Sequence, residues 1–562
     1  MLNNTKYVFV TGGVISGLGK GIITASTGLI LQNLGFKISV LKADMYLNLD
    51  AGTMNPLEHG EVFVTEDAYE TDQDLGHYER FLNKNVYKHN YITMGKIYYD
   101  VITKERELGY KGKSVEGNVH IPEEIISKIK FTAKKDGAEI ILIEVGGTVG
   151  EYQNIMFYEA IRKLKQKEPE NVLIVHLVYL PIPKFLGEMK SKPAQTSIYE
   201  LYKLGLQPSF VICRSETSVD LKRKNTISTN TGVKPEHIIS APDIDTIYKI
   251  PNVLKNQNYD KLLLKELKIK SKTKHNSEWD NFIKKLEKTK NNNKTVKIGI
   301  CGKYFTSGDF SLTDSYVCVL EAIKHACWLI NVNPVINWID VENFENTKKF
   351  ETAMKNLKTN DAIIIPQGWG SRGVEGKIKV VEYVRNNKIP FLGLCFGMQM
   401  SVVEFTRNVL GLNDANTIES DENTKHKVIV LMENQKENIN NNKFGGTIRL
   451  GAWPCVLKKG TLISECYNKY GNDRIEKDNL GNQIVYERHR HRYEFNNDYR
   501  DQLEKAGLVV SGTSVDGKLV ESIEINKKDH PFFIGTQFHP EYKSRPLSPH
   551  PIFIGFVKSV LK

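Results

Sequence analysis

Cysteine, histidine and carboxylate stand in this chain at spacings that suit attack on a carbonyl. Residues 391–399 read Phe391, Leu392, Gly393, Leu394, Cys395, Phe396, Gly397, Met398 and Gln399, and the apolar run 389–394 arrives like a buried strand. The glycines on either side of Cys395 permit a turn too sharp for residues that carry a Cβ. The sulfur would then stand on a strand-to-helix elbow with backbone amides facing the reacting carbonyl. A thiol nucleophile needs a base that lowers its effective pKa. His539 is the candidate, because it follows the apolar stretch 532–534 and precedes Pro540 and Glu541, whose carboxylate could orient the imidazole. An isolated cysteine would be read as one of seven buried thiols. Flanking glycines and a downstream His-Pro-Glu favour the nucleophile.

A second chemistry lies near the start of the chain. A β-branched and aromatic run at 6–10 leads into Thr11, Gly12, Gly13, Val14, Ile15, Ser16, Gly17, Leu18, Gly19, Lys20 and Gly21, with a helix expected through about Leu34. Strand, glycine-rich loop and helix make a phosphate cradle, in which bare amides and the positive helix end face the phosphates and Lys20 adds a point charge. The strict Walker spacing is not met, since Val14 takes the place of the first glycine and Gly21 that of the usual Ser/Thr. Five glycines and a lysine at one junction still favour nucleotide binding over a plain turn. The next strand, 38–42, runs into Lys42, Asp44, Tyr46, Asn48 and Asp50, a density of polar groups that marks a site. Residues 61–79 carry seven carboxylates, Glu61, Glu66, Asp67, Glu70, Asp72, Asp74 and Glu79, most of them expected to be solvated. Magnesium on a nucleotide needs only one or two. Glu144 is a further candidate, since it closes the apolar strand 139–143 ahead of Val145, Gly146, Gly147, Thr148, Val149 and Gly150, and a lone buried acid is costly without a partner.

These residues require elements to hold them. Alternating strands and helices through the first half, including a strand at 210–213 and a helix from residues 190–195 to Leu204, imply a doubly wound α/β domain. Residues 103–120, with Lys104, Arg106, Lys111 and Lys113 among Gly109, Gly112 and Gly117, read as a mobile basic lid. From about 270 to 294 apolar periodicity gives way to lysine and asparagine, with one short amphipathic helix on Trp279, Phe282, Ile283 and Leu286, which marks a linker. Strands restart at 296–301 and 361–366. The latter ends in Gln367, Gly368, Trp369, Gly370, Ser371, Arg372 and Gly373, a loop able to offer backbone donors to an oxyanion. The expected organisation is a domain over 1–272, a linker over 273–295 and a second α/β domain over 296–562. In that second domain Glu487, Arg488, His489, Arg490, His491, Arg492 and Tyr493 form a basic loop.

With 562 residues the chain has length for two or three domains. No apolar run approaches the roughly 18 residues of a membrane span, and the first six residues lead into no signal-type core, so a cytoplasmic protein without a membrane partner is expected. Seven scattered cysteines without CxxC pairing suggest neither a disulfide framework nor a zinc site. The net charge of +11 is dispersed apart from a lysine cluster between 284 and 297. Polyphosphate substrates and solvated surface account for it, and no nucleic-acid partner is expected.

In their order along the chain, residues 11–21, 67–80 (with Asp74, Leu75, Gly76, His77, Tyr78, Glu79 and Arg80), 144–150, 190–195, the Cys395 elbow, 487–493 and 537–541 resemble the CTP synthase family. The resemblance covers nearly the entire chain. It implies two doubly wound domains, an N-terminal P-loop-like amidoligase (synthetase) domain and a C-terminal class I glutamine amidotransferase domain. It also implies ATP-dependent amination of UTP to CTP through a 4-phosphorylated UTP, with ammonia released from glutamine by Cys395, His539 and Glu541. Carried over residue by residue, Ser16, Gly17, Leu18, Gly19, Lys20, Gly21, Ile22 and Asp74 hold ATP. Lys20 and Lys42 lie in the phosphoryl-transfer centre, and Asp74 and Glu144 bind magnesium. Ser16, Glu151, Tyr152, Gln153, Lys190, Ser191, Lys192, Pro193, Ala194 and Gln195 match the UTP and CTP pocket. Gly368, Leu394, Phe396, Gly397, Met398, Gln399, Glu419 and Arg492 border glutamine. GTP as an allosteric activator, CTP as a feedback inhibitor, a homotetramer and filaments are further implications. Two rivals stand beside this reading. Another amidoligase–glutaminase fusion, of the cobyrinic acid diamide synthase kind, would lack the ordered stretches at 74–80 and 190–195. A non-catalytic nucleotide-binding filament protein would have no need of Cys395, His539 and Glu541 together.

The chain also departs from the family pattern. Glu151, Tyr152 and Gln153 stand where Asp-Ile-Glu is usual, which removes one carboxylate from the product pocket and implies weaker CTP feedback. Thr226 stands where a lysine would meet the triphosphate, with Lys222, Arg223 and Lys224 as substitutes. Glu116, Gly117, Asn118 and Val119 precede His120 where a Gln and a Pro are expected, which bears on lid closure with GTP. Met45, Ala51 and Gln367 replace Pro, Pro and Gly, and Gln367 adjoins the expected oxyanion donor at Gly368.

Overall fold

The computed structural model describes residues 5–273, 278–307, 310–311, 314–435, 437–438 and 445–561. They form two compact units, one of Met1–Ala51 and Asp74–Ile283, the other of Gly52–Gln73 and Lys284–Lys562. The division is not collinear with the sequence. Residues 52–73, within the stretch expected to be synthetase, cluster with the C-terminal half. The second boundary falls inside the helix Glu278–Lys290, in the expected linker, where Trp279 is buried against Phe81 and Tyr248 of the first unit.

The first unit is built on β1 (Lys6–Gly12), β2 (Ile38–Asp44), β3 (Tyr91–Thr93), β4 (Ile140–Val145), β5 (Val172–Tyr179), β6 (Phe210–Ser215) and β7 (Ile238–Pro242). Their order is β3-β2-β4-β1-β5-β6-β7, and every pairing is parallel. Such a sheet is covered on both faces, which is why its strands read as continuous apolar runs rather than alternating ones. The connection from β1 runs toward one edge and that from its neighbour β4 toward the other, and the crevice at the carboxyl ends of strands beside such a switch point is where this class of fold takes ligands. Register places the chemistry there: Glu144 pairs with Lys42 on one side and Val10 on the other.

The second unit has a mixed ten-stranded sheet of β8 (Thr295–Gly302), β9 (Asn333–Asp340), β10 (Ala362–Ile365), β11 (Phe391–Leu394), β12 (Arg449–Leu457), β13 (Glu476–Lys477), β14 (Gln483–His491), β15 (Leu508–Thr513), β16 (Val520–Ile525) and β17 (Phe533–Thr536). The order is β9-β8-β10-β11-β17-β16-β15-β12-β14-β13, parallel through β17 and antiparallel beyond it. Two apolar cores sandwich it, one around Val380, Phe391 and Met398, the other around Ile364, Leu392 and Phe553. Among the described residues no helix is long and apolar enough to cross a membrane.

Three expectations are corrected. The basic loop at 487–493 is mostly strand: β14 carries Glu487 to His491 into the interior, and burial pushes the imidazoles of His489 and His491 well below their ordinary value, leaving them neutral. The carboxylates of 61–79 are not mainly solvated. Glu61, Glu70 and Glu79 are buried and Glu66 is ion-paired to Arg488 and Lys543, because each has a cation or backbone amide to hold. The lid is shorter than expected, since the helices Met94–Arg106 and Gly117–Lys135 claim both its ends, and the ring of Tyr110 packs edge-on against His120 at 4.9 Å.

The glycines at the Cys395 elbow do other work than the sequence suggested. The positive φ of 52° falls on Cys395 itself. A Cβ on Gly393 would lie 2.8 Å from the backbone of Gly397, and one on Gly397 would lie 2.2 Å from the Ile365 carbonyl, so both are glycines because helix and strand approach so closely. Gly397→Ala should therefore lower the stability of the second unit by about 1–3 kcal/mol through overpacking. An unchanged midpoint in chemical denaturation would show that the contact can relax.

Candidate active site

Cys395 ends β11 and caps the helix Phe396–Asn408, with φ 52° and ψ −100°. A non-glycine residue in such a conformation costs on the order of 1–3 kcal/mol, and the surrounding contacts hold it there. Its amide donates to the Thr536 carbonyl at 2.7 Å, which fixes the elbow to β17. The sulfur lies 3.8 Å from the Arg490 carbonyl and accepts from Gln537 Nε2 at 3.5 Å. Gln399, expected beside glutamine, is buried behind this layer and donates to Gln537 Oε1 and to the Tyr493 carbonyl, both at 3.1 Å. Phe396, Gly397 and Met398 are buried in the first turn, where helix amides have no partner four residues back.

The structure brings His539 and Glu541 to the cysteine. His539 Nδ1 is 2.7 Å from Glu541 Oε1, which leaves Nε2 for the sulfur. Burial would push the imidazole down, but the Glu541 carboxylate and the neighbouring Cys395 sulfur outweigh it and raise the ring to about 10. At neutral pH the ring is an imidazolium, the partner that stabilises a thiolate. The Tyr542 ring lies flat on the imidazole, centroids 4.9 Å apart and 15° from parallel, and its hydroxyl donates to the Val62 carbonyl at 3.0 Å.

The loop after β10 faces the elbow, and two lysines that sequence reading missed control it. Lys303 Nζ donates to the carbonyls of Trp369, of Gly370 at 3.3 Å and of Arg372 at 3.0 Å, and burial pushes its ammonium down to about 8. Lys377 is fully buried, its Nζ 3.5 Å from the Pro366 carbonyl and 4.6 Å from the centroid of the Phe396 ring, and burial holds it well below the ordinary lysine range. With the carbonyls turned to the lysines, amides turn the other way: Trp369 N donates to Tyr304 Oη at 3.3 Å and Gly370 N to Glu419 Oε1 at 2.6 Å. A Cβ on Gly368 would lie 3.0 Å from Lys377 Nζ. The signal for Lys377 was a lysine on the apolar stripe of Val374, Ile378 and Val381; for Lys303 no pattern pointed to it. A cavity of about 360 Å³ opens beside this loop, lined by Thr53, Trp369, Arg490 and Arg492 among others.

The first unit gathers a second cluster. Val14 (φ 80°), Gly17 (φ 72°) and Gly19 (φ 86°) shape an exposed loop that ends in buried Lys20, whose Nζ donates to the Gly147 carbonyl at 2.7 Å. Lys42 Nζ is ion-paired to Asp74, to Glu144 at 2.8 Å and, at 3.7 Å, to Asp44, a buried acid of the polar strand end to which sequence assigns no specific role. Tyr78 donates its hydroxyl to Glu144. Burial, then the charge of Asp74, raises the Glu144 carboxyl to about 7 against the pull of Lys42 and Lys20. Among the described residues no three His, Cys, Asp or Glu side chains surround a common metal position. Asp74 and Glu144 are nevertheless hard oxygen donors in the number magnesium takes when phosphates and water complete its shell, so the set fits that ion. Gly21 is explained by the same cluster: a Cβ there would lie 2.0 Å from Asp74 Oδ1, so the carboxylate fills the space of the usual Ser/Thr.

The expected pyrimidine residues sit on three nearby elements. Ser16 is in the exposed loop, Glu151 accepts from the Thr148 amide at 2.8 Å ahead of the short helix Tyr152–Asn154, and the helix Lys192–Lys203 follows Lys190 and Ser191. Tyr152 and Lys192 are exposed, Ala194 and Gln195 buried, and Lys190 is paired with Glu188. Thr226 turns back to its own helix and donates to the Lys222 carbonyl at 2.8 Å. Arg492 Nη1 donates to Gln435 Oε1 at 3.2 Å.

Because Glu541 is what holds the imidazole charged, Glu541→Gln should return the ring toward its ordinary value of about 6.5 and slow alkylation of Cys395 by iodoacetamide at pH 7 severalfold or more. Mass spectrometry of the modified peptide reads this, and equal rates in both proteins would deny Glu541 its role.

Comparison with known proteins agrees with both clusters. A family described as "CTP synthase N-terminus" matches residues 6–269, and "Glutamine amidotransferase class-I" matches residues 311–559. The chain is 48% identical over 556 residues to the CTP synthase of Sulfurisphaera tokodaii, covering 99% of each chain. It is 46% identical to that of Sulfolobus acidocaldarius, over 98% of this chain and 99% of the relative, and 45% identical to that of Saccharolobus solfataricus, over 99% of each. With two buried reactive clusters on one chain and full-length likeness at this level, the protein belongs to the CTP synthase family.

Proposed function

We infer that this chain aminates UTP to CTP, using ATP and ammonia released from glutamine. The observation that carries the reading is the presence in one full-length relative of CTP synthases of both clusters, the Cys395–His539–Glu541 group and the Lys20–Lys42–Asp74–Glu144 group.

In the second unit the Cys395 sulfur attacks the carboxamide carbon of glutamine, and the carbonyl oxygen takes the negative charge. The amide of Gly368 and those at the start of the helix Phe396–Asn408 receive it as oxyanion donors. His539 gives its Nε2 proton to the leaving nitrogen, ammonia departs, and a thioester to Cys395 remains. Water, deprotonated by His539, then releases glutamate. Glu419 and Arg492 hold the amino and carboxylate ends of the substrate, opposite charges to opposite ends.

In the first unit the O4 of UTP attacks the γ-phosphorus of ATP and ADP leaves. Ammonia adds at C4, and phosphate departs to leave CTP. Lys20 and Lys42 neutralise the phosphoryl group in flight, work that needs charge and position more than covalent help. Asp74 and Glu144 would hold magnesium, which supplies further neutralisation of the phosphates. Residues 16–22 hold ATP, while Ser16, residues 151–153 and residues 190–195 hold the pyrimidine nucleotide. GTP stimulates glutamine use, CTP competes with UTP, and the chain acts as a homotetramer.

Two substitutions separate the steps. Cys395→Ala should abolish CTP formation from glutamine and leave formation from ammonium chloride intact; equal loss with both nitrogen donors would refute the division of labour. Gly21→Ser drives a side chain into Asp74 and should reduce the rate with either donor by roughly tenfold or more, the size expected when a positioned charge is displaced. A protein that lost activity with glutamine alone would place Asp74 outside the synthetase chemistry.

A further inference from the structure

We propose that Gln367 is a positioning residue for glutamine hydrolysis, tying the loop that carries Gly368 to the buried carboxylate of Glu61. The inference rests on the glutaminase reading above and adds to it the part that holds the oxyanion donor in place.

Gln367 Nε2 donates to Glu61 Oε1 at 2.7 Å. The other carboxylate oxygen accepts from the Cys318 amide at 2.7 Å, in the first turn of the helix Val317–Leu329, where an anion is favoured by the exposed amides and the helix dipole. The Glu61 amide donates to the Asp314 carbonyl at 3.0 Å, so the acid is fixed at backbone and side chain. At 3% exposure Glu61 competes little with water for these bonds. The orientation of the Gln367 amide follows from the pairing: turned over, it would set its oxygen against a carboxylate oxygen.

The backbone of Gln367 is held as well. Its carbonyl accepts from Tyr316 Oη at 3.4 Å. In a trans peptide the carbonyl and the following N–H point in opposite directions, so anchoring residue 367 sets where the amide of Gly368 aims. The next residue along from Glu61 serves the base, because the Val62 carbonyl receives the hydroxyl of Tyr542, whose ring lies on His539. Adjacent residues of the segment Gly52–Gln73 thus support the oxyanion loop and the imidazole together.

The arrangement can be tested by exchanging its partners. Gln367→Glu removes the amide donor and sets two carboxyl groups against each other across the 2.7 Å contact, where they repel unless a proton is taken up, so the assay is run at pH 8 and above. The substitution should cut kcat for glutamate release by about tenfold or more (~1.4 kcal/mol) with little change in KM, because the amide of Gly368 acts in the transition state. CTP formation from ammonium chloride should be unchanged, which reports an intact fold. The double variant Glu61→Gln/Gln367→Glu rebuilds the pair with the roles reversed. The carboxamide introduced in place of Glu61 can accept from the Cys318 amide through its oxygen and donate through its nitrogen to the carboxylate introduced in place of Gln367, and kcat should return to within about threefold of the parent. Wild-type rates in Gln367→Glu, or a double variant as slow as the single, would overturn the proposal. So would equal loss with ammonia, which would make Gln367 a general structural residue. Absence of glutamate release from the unaltered protein would instead overturn the glutaminase reading, and the positioning role with it.

Discussion

A charge removed from water must find a partner, and that requirement organises both units. Isolated ions in a protein interior cost several kcal/mol each, and only paired, hydrogen-bonded ones persist. Lys42 survives burial at the end of β2 because Asp74, Glu144 and Asp44 surround it. Arg488 and Arg490 survive in β14 because Glu66 and Glu70 each meet a guanidinium at 2.8 Å. His539 is charged because Glu541 is beside it. Lys42, Arg488 and Arg490 are held by acids from other stretches of chain, so folding and assembly of these clusters are one event, whereas His539 is held by Glu541 two residues on.

The loop of residues 366–373 follows the same logic with backbone dipoles in place of full charges. Lysines 303 and 377 collect its carbonyls, and the amides, forced to the other side, meet Tyr304 and Glu419. Donors held in this way are aimed before substrate arrives, and aimed dipoles in a dry site stabilise developing charge without reorganising. The depressed ammonium of Lys377 is the mark of that dryness, since burial is its leading cause.

Much of this is legible from residue types alone. Parallel strands buried on both faces read as apolar runs, so β1, β2, β4, β10 and β11 stand out, and the reactive residues at their ends follow. What sequence does not disclose is burial of charge. Residues 61–79 and 487–493 look like solvated carboxylates and a basic loop because the partners of Glu66 and Glu70, and of Arg488 and Arg490, come from far along the chain, as with Glu66 and Arg488 at a separation of 422. The flanking glycines of Cys395 mark the right position for the wrong reason, since backbone strain sits on the cysteine and the glycines make room for it. Gly21 looks like a departure from the phosphate-loop pattern until Asp74 is seen in the space a side chain would need.

The pairing of those two stretches also decides where a domain begins. By sequence the glutamine-hydrolysing part would start near residue 296, but residues 296–562 taken alone would leave Arg488 and Arg490 in β14 without Glu66 and Glu70. They would also leave Tyr542 without the Val62 carbonyl and Gln367 without Glu61. Removing one member of a buried ion pair costs more than the pair was worth, because the survivor keeps its desolvation penalty. Arg490, which would lose Glu70, is the residue whose carbonyl lies against the Cys395 sulfur. The segment Gly52–Gln73 is therefore a working part of the second unit, supplied by the first half of the chain.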